Sequence, residues 1–316
     1  MTAVGQVSGR EHALRGLARY VAGNGVELGP GHAPFPLPFP ATTVRYVDRW
    51  KPDENRQLFP ELGDEATFPM PDIVADLNID RLSMLPDESQ DFVIASHLLE
   101  HLVDPLAHLA EIYRVLRPGG TVIIMLPDRR LTFDRDRAAT TLDHLIDDHA
   151  TGSRTVDDNH LEEFLRGTGD WNDAWDSTER AAQFDRHRER SIHMHCWTQD
   201  EFLPVVRYSV TDMGLSWELL DALFYEDVPG SIEFGLVLRR SLGPGESSAL
   251  GRRLETVWYE LVENHRRARG IAGEAAAVRG ELERIRNHPA FKVASQLRHR
   301  ARTGIHTAAQ WRRRSQ

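Results

Sequence analysis

The stretch VELGPG (26–31) ends an apolar segment with an acidic residue and a glycine-flanked turn. Glu27 stands two residues before Gly29, and Gly31 follows after a proline. Glycine adopts backbone conformations that other residues avoid, so the chain can turn sharply here and come close to another molecule. If the apolar segment is a strand of a parallel sheet, the turn lies at its carboxyl end, where such sheets bind ligands.

The segments that follow alternate between predicted strands and a predicted helix. Apolar residues recur at helical spacing over 105–116, and Pro105 suits a first helical turn. Runs that are β-branched, aromatic or continuously apolar predict strands at 42–50, 73–76, 92–95 and 121–127. This alternation predicts an α/β fold with a parallel sheet.

The chain divides into a predicted domain and an extension. We expect the α/β domain over residues 1–245, interrupted by a polar insert at about 128–195 and closed by two apolar runs within 216–240. Residues 246–316 shift to Ala, Glu and Arg, which predicts a helical C-terminal extension with a basic tail. We expect this extension to pack on the domain or to pair two chains into a homodimer. Contact of the tail with an anionic membrane surface or a partner enzyme is the alternative.

Composition excludes several classes of protein. A formal net charge of −10 argues against a nucleic-acid binder, which needs an excess of Lys and Arg. Cys196 is the single cysteine, so an internal disulfide is impossible and a reducing compartment is favoured. The sequence has neither an apolar run of the roughly 18 residues that a transmembrane span needs nor the apolar core of a signal peptide. These features predict a cytoplasmic protein.

The acid before the glycine turn separates two candidate cofactors. Sites for a nicotinamide dinucleotide have the pattern G-x-G-x-x-G beneath the pyrophosphate. Here Pro34 occupies the position of the third glycine, and Glu27 would repel the phosphates. S-adenosylmethionine has no phosphate, and its sulfonium and amino groups are cationic. Asp48 follows Glu27 by 21 residues, a position from which acids commonly hydrogen-bond ribose hydroxyls. The residues therefore favour S-adenosylmethionine, and a surface loop without a ligand is the alternative.

Five segments in order resemble the motifs of class I S-adenosylmethionine-dependent methyltransferases. VELGPG (26–31) resembles the first motif, acid–apolar–Gly–x–Gly, although Ala33 replaces the usual third glycine. The other four are YVD (46–48), ADL (75–77), DFVIASHLLEH (91–101) and VLRPGG (115–120). The resemblance implies a Rossmann-like sheet of seven strands, mostly parallel with an antiparallel last strand, carrying a helical lid insert and the C-terminal helical extension.

The same resemblance implies which residues meet the cofactor. Glu27 is expected to bind its amino-acid part, directly or through water, Asp48 its ribose, and Asp76 with Leu77 its adenine. The full implied pocket consists of Glu27, Gly29, Gly31, Asp48, Asp76, Leu77 and Ser96.

The polar insert holds the candidates for the chemistry. His144 and Asp148 are four residues apart on a predicted helix and share a face. A hydroxyl that accepts a methyl group must lose its proton. A histidine can take this proton, or a divalent cation such as Mg²⁺ can lower the pKa of the hydroxyl. His193 and His195 point the same way if their segment is extended. With Cys196 they are too close together for a usual structural zinc site, so zinc is not expected. A plain solvated helix surface is the alternative.

Four segments of the insert resemble a narrower group, the sugar O-methyltransferases of actinobacterial polysaccharide pathways, above all those that cap methylated mannose polysaccharides in mycobacteria. They are PDRRLTFD (127–134), TTLDH (140–144), HLEEF (160–164) and IHMHCW (192–197). This resemblance implies a hydroxyl of a sugar or oligosaccharide, a mannoside, as the acceptor and His144 as the general base. The insert's tryptophans Trp171, Trp175 and Trp197 suit stacking on sugar rings. A non-catalytic partner or scaffold of a glycosyltransferase is the alternative function.

Overall fold

The computed structural model describes residues 9–37, 42–63, 65–228, 230–243 and 247–287, so the predicted basic tail at 288–316 lies outside them. Seven strands form one sheet, namely β1 (Gly23–Leu28), β2 (Thr42–Asp48), β3 (Ile73–Val74), β4 (Gln90–Ser96), β5 (Leu116–Pro127), β6 (Trp217–Leu223) and β7 (Glu233–Arg240). Their order across the sheet is β3-β2-β1-β4-β5-β7-β6. The first five strands run parallel, and β7 is antiparallel to both β5 and β6. The predicted seven-stranded, mostly parallel sheet is confirmed.

The nine α-helices of the described ranges are α1 (Gly9–Leu17), α2 (Pro52–Leu58), α3 (Leu77–Asp80), α4 (Pro105–Val115), α5 (Leu142–Thr151), α6 (Asp158–Thr168), α7 (Ser177–Arg190), α8 (Gln199–Thr211) and α9 (Ser247–Asn287). Their starts follow local chemistry. The side chain of Asp104 accepts a hydrogen bond from the third residue of α4, and Thr198 forms a capping box with Glu201 at α8.

The connection from β1 to β2 departs from the usual strand–helix alternation. After Gly29 the chain makes a turn at 31–33 and continues to residue 37 without a helix. Prolines within this stretch cannot donate the backbone hydrogen bonds that a helix needs. The loop is instead fixed by the N–H of Phe35, which donates to the Glu27 carboxylate at 2.7 Å.

Among the described residues, one apolar cluster packs on the sheet and another lies within the insert. Alternate residues of the central strands, among them Phe92 and Ile123, pack with Leu14 and Leu17 of α1 on one face of the sheet. The insert has a separate core that includes Leu161, Phe164, Leu165, Phe184, Ile192 and Met194. Because the insert buries its own apolar side chains, it can present polar groups to the sheet without depending on the main core.

Contacts divide the chain after Trp258, into a unit of residues 1–258 and a unit of residues 259–316. The predicted boundary at 245/246 falls near the start of α9, but Leu254 and Trp258 of this helix are buried and belong to the first unit. Within the described ranges, none of the helices has the length and apolar character of a membrane span. Pairing of two chains through the extension stays a prediction.

Gly25 provides a test of how tightly the sheet is packed. A Cβ at this position would lie 2.3 Å from the carbonyl oxygen of Phe92 on the neighbouring strand, whereas a Cβ on Gly16 of α1 meets nothing within 4 Å. We expect Gly25→Ala to lower the free energy of unfolding by about 3 kcal/mol, because overpacking next to backbone forces strands apart. Gly16→Ala should raise it by up to about 1 kcal/mol through helix propensity. Denaturant unfolding measures both, and equal effects would contradict the packing of β1 on β4.

Candidate active site

The carboxyl ends of β1, β2 and β4 open into a cleft of about 570 Å³ that the insert completes from the other side. Parallel strands bring the loops at their carboxyl ends to one edge of the sheet, which is why residues distant in sequence meet there. The sheet side contributes Gly29, Gly31, Asp48, Asp76 and Leu77, and the insert contributes Phe133, Phe164 and His193.

The glycine turn forms the floor of this cleft. Gly29 and Gly31 both have left-handed backbone conformations, with φ of +61° and +52°. A side chain on Gly29 would also come within 3.3 Å of Leu98. Both glycines are therefore needed for the shape of the turn, and Gly29 for the close approach of the neighbouring loop.

Glu27 lies behind the turn and is not among the residues that line the cleft. Its side chain is 1% exposed, and only one carboxylate oxygen is hydrogen-bonded, by the N–H of Phe35. The other oxygen, Oε2, has no hydrogen-bond partner among the described residues. Burial raises the pKa of Glu27 to about 7, against the opposing effect of the Phe35 N–H. The second oxygen is therefore available to a donor that the protein does not supply.

Asp48 lines the cleft at the end of β2, where its carboxylate accepts long hydrogen bonds of 3.4 Å from the N–H groups of Gly31 and Trp50. Burial raises its pKa although those N–H groups lower it. Asp76 also lines the cleft, caps α3 through the N–H of Asn78 at 3.0 Å and pairs with Arg49 at 3.0 Å. Of these two acids, Asp48 has the weaker protein partners.

The loop after β4 brings residues into the cleft that the sequence analysis did not single out. Ser96, which was expected in the pocket, ends β4 outside the cleft lining, and the following His97 and Leu98 line it instead. His97 has a left-handed φ of +51°, and its Nε2 lies 2.7 Å from Glu233 Oε2. Burial lowers the pKa of His97, but the hydrogen bond to Glu233 and the charges of Glu100 and Glu233 raise it more.

On the insert side, His193 and Asp134 form a dyad. The Nδ1 atom of His193 lies 2.6 Å from Asp134 Oδ2, and the other oxygen of Asp134 accepts from Arg137 at 2.7 Å. A histidine held through Nδ1 keeps Nε2 for another molecule, as in other carboxylate–histidine pairs. Next to this dyad, burial and, to a smaller extent, the charge of His193 lower the pKa of His101 to about 3. His101 is therefore a neutral ring that donates or accepts without carrying charge.

His144, the candidate base from the sequence, does not line the cleft. It lies in a group with Asp148, His160 and His195, in which the predicted pairing of His144 with Asp148 is present at 3.1 Å. His193 and His195 do not share a partner: His193 contacts Asp134, and His195 belongs to the His144 group. No strand is assigned to the segment between them, so their expected common direction stays a prediction.

Stacking on a sugar would require the tryptophans Trp171, Trp175 and Trp197 to line the cleft, and they do not. Trp197 is 1% exposed, and neither Trp171 nor Trp175 lines the cleft. Trp171 instead lies under the guanidinium groups of Arg166 and Arg180. The aromatic side chains that line the cleft are Trp50, Phe59, Phe68, Phe133 and Phe164.

The sheet order and the cleft at its edge define a Rossmann-like methyltransferase fold. Residues 36–124 match the family model described as "Methyltransferase domain". A protein of Mycolicibacterium smegmatis, named "Probable S-adenosylmethionine-dependent methyltransferase", is 43% identical over 53 residues. That alignment covers 17% of this chain and 20% of the relative, so the chain matches about a fifth of the relative's length.

Solved structures with a similar chain include a SAM-dependent methyltransferase from Aquifex aeolicus, 14% identical over 71% of this chain and 87% of that one, with a TM-score of 0.35. A protein from Pyrococcus horikoshii OT3 is 16% identical over 73% of this chain and 87% of that one, with a TM-score of 0.40.

The raised pKa of Glu27 has a consequence for stability. The folded, ligand-free protein holds this proton more tightly than the unfolded chain, in which the ordinary value is 4.5. The free energy of unfolding should therefore fall as the pH rises from about 4.5 to about 7, by about 2 to 3 kcal/mol from this group alone. The unfolding free energy of Glu27→Gln should lack this dependence on pH.

Denaturant unfolding at several pH values between 4 and 8 measures the difference between the two proteins. The exposed Glu65 supplies the control, because Glu65→Gln should follow the wild-type curve. A wild-type minus Glu27→Gln difference that stays constant with pH would show that the pKa of Glu27 is the same in the folded and the unfolded chain.

Proposed function

We propose that this protein transfers the methyl group of S-adenosylmethionine to a hydroxyl of a sugar or oligosaccharide. The observation that carries the proposal is the edge of the sheet, where a left-handed glycine turn, the half-bonded Glu27 and the weakly bonded Asp48 lie together. The match of residues 36–124 to a methyltransferase domain supports methyl transfer, without regard to the acceptor.

The residues present fit the cofactor. Glu27 Oε2 is a buried acceptor without a protein donor, and because Glu27 lies behind the glycine turn and outside the cleft lining, we propose that a water molecule joins it to the cofactor's ammonium group. Asp48 has lone pairs to offer to ribose hydroxyls, since its two backbone hydrogen bonds are long. Gly29 and Gly31 leave room for close approach, and Leu77 offers an apolar surface for adenine. When bound, S-adenosylmethionine supplies the electrophilic methyl group.

We infer that His193, rather than His144, accepts the proton of the acceptor hydroxyl. His193 lines the cleft and is oriented by Asp134 at 2.6 Å, whereas His144 lies outside the cleft lining. Asp134 fixes the tautomer in which Nε2 has a lone pair, and it stabilises the charged ring once the proton has moved. The main task of the remaining cleft residues is to align the hydroxyl with the methyl group.

The acceptor is a polar molecule with flat apolar faces, which describes a sugar. Phe133 and Phe164 of the insert line the cleft beside His193, and Arg190 adds a donor for hydroxyl oxygens. The mannoside is the acceptor that the resemblance of the insert implies. Mg²⁺ prefers all-oxygen ligands, and both candidate metal groups among the described residues contain imidazoles, so we assign it no role. The single cysteine supports action in the cytoplasm.

The cofactor assignment predicts the effect of Asp48→Ala. Loss of a hydrogen bond to a charged group costs about 1.5 to 3 kcal/mol, so the affinity for S-adenosylhomocysteine should fall roughly 10- to 100-fold. Calorimetric titration measures this affinity, and Asp53→Ala, an exposed acid of α2, is the control that should bind normally. Wild-type protein that binds neither S-adenosylhomocysteine nor S-adenosylmethionine would favour the non-catalytic scaffold.

The base assignment predicts that His193→Ala lowers turnover roughly 10²- to 10⁴-fold, the usual contribution of general base catalysis. Affinity for S-adenosylhomocysteine should stay within a few fold, because His193 serves the acceptor. Transfer of label from S-adenosylmethionine to mannosides measures turnover, and His12→Ala, an exposed histidine of α1, is the matched control. Normal turnover in folded His193→Ala would remove the residue from the mechanism and return His144 to consideration.

A further inference from the structure

Four side chains of the insert converge on one point outside the cleft lining. Helix α5 supplies His144 and Asp148 one turn apart, α6 supplies His160, and the segment before α8 supplies His195. One donor atom of each lies within 4.8 Å of the donor atoms of the other three. The four residues come from three separate parts of the chain, so their meeting is a property of the folded insert.

The distances match those between the ligands of a tetrahedral metal ion. Asp148 Oδ2 lies 3.1 Å from His144 Nε2, 3.5 Å from His160 Nε2 and 3.9 Å from His195 Nε2. His144 Nε2 and His160 Nε2 are 3.0 Å apart. Ligand bonds of about 2.0 to 2.2 Å to Zn²⁺ give ligand–ligand separations of about 3.3 to 3.6 Å in a tetrahedron. The observed separations scatter around this value.

Hydrogen bonding within the protein leaves part of this group unsatisfied. The His195 side chain is 0% exposed, and its Nε2 makes no hydrogen bond among the described residues. Asp148 Oδ2, which faces all three rings, is likewise buried without a hydrogen bond of good geometry. A buried imidazole nitrogen that makes no hydrogen bond is costly, and Asp148 Oδ2, which contacts His144 Nε2 at 3.1 Å, lies 3.9 Å from His195 Nε2. A cation between them would satisfy both.

We propose that His144, Asp148, His160 and His195 bind one Zn²⁺ ion per chain. Three imidazoles and one carboxylate form a donor set that suits a first-row transition metal and not Mg²⁺ or Ca²⁺. Four protein ligands close the coordination shell, so the ion is structural and joins α5, α6 and the His195 segment. Zinc was not expected at His193, His195 and Cys196, which are too close together in sequence; of these three, only His195 belongs to the present group, whose other ligands come from α5 and α6.

The surroundings of the four ligands support the assignment. Nδ1 of His160 lies 2.9 Å from Asp157 Oδ1, the kind of carboxylate–histidine contact that orients imidazole ligands of metals. The same oxygen of Asp157 accepts from the N–H of His160 at 2.9 Å, which fixes both residues at the start of α6. The ring of Trp197 stacks on His195 and shields that side from water.

Metal analysis of the full chain tests the proposal. Protein purified without chelator should contain about one equivalent of zinc by mass spectrometry of the elements, and metal-free protein should take up one Zn²⁺ in calorimetry. Replacement by Co²⁺ should give the intense visible absorption of a tetrahedral site. Excess Mg²⁺ should neither compete for the site nor change the spectrum.

Variants locate the ion. His160→Gln and Asp148→Asn should each lower Zn²⁺ affinity by at least 100-fold, while His12→Ala and His187→Ala should bind as wild type does. Circular dichroism of each variant shows whether it folds. If His160→Gln does not fold, Asp148→Asn, which keeps the shape of the side chain, still tests the site. A folded wild type that binds no Zn²⁺ at micromolar concentrations, or ligand variants that bind it unchanged, would overturn the proposal. Because binding is measured without acceptor or cofactor, the result is independent of the proposed methyl transfer.

Discussion

The buried guanidinium of Arg137 joins the segments of the insert that border the cleft. Its side chain is 1% exposed, and it donates to Asp134 and to the carbonyl oxygens of His193 and Met194 at 2.7 to 3.1 Å, with Glu163 at 3.2 Å. Burial of this charge is tolerable only because these acceptors surround it. One residue thus fixes the dyad of the cleft, the segment that leads to His195 and one face of α6.

The arrangement requires that the helix beside Arg137 carries no side chain at one position. A Cβ on Gly167 would lie 2.2 Å from Arg137 Cγ, so only glycine leaves space for the stem of the arginine. Arg137 also lies over the ring of Phe164, which lines the cleft. The packing of the insert core and the shape of the cleft wall that the insert forms therefore depend on the same guanidinium.

Much of the sheet could be predicted because each parallel strand is a short apolar run, which can be recognised from neighbouring residues alone. The 121–127 run lies within β5, and Asp48 ends β2 as expected, at a position where a strand end meets the cleft. The loop after Gly31 was harder, since the prolines exclude a helix but do not say where the chain goes. Its course is fixed by contacts distant in sequence, among them the hydrogen bond from the N–H of Phe35 to the buried Glu27 and the burial of the Phe35 ring in the core beside α1.

The candidate site was only partly accessible to sequence reasoning. Spacing of four residues identified the pair of His144 and Asp148, but no local pattern shows that His160 and His195 join it from other segments. The same is true of His97, whose partner Glu233 lies on β7 and also binds Arg10 of α1. Contacts between residues on different segments are decided by the fold of the whole chain, and a single sequence carries little information about them.

The burial of Cys196 has a practical consequence. This sole cysteine is 3% exposed, its sulfur approaches the carbonyl oxygen of Ala138 at 3.2 Å, and burial raises the pKa of its thiol to about 11. Thiolate is the form that reacts with oxidants and alkylating reagents. A cysteine introduced at an exposed position would therefore be labelled selectively by a maleimide dye, without removal of the native one. The folded protein is a ready background for fluorescence or spin-label measurements of the insert.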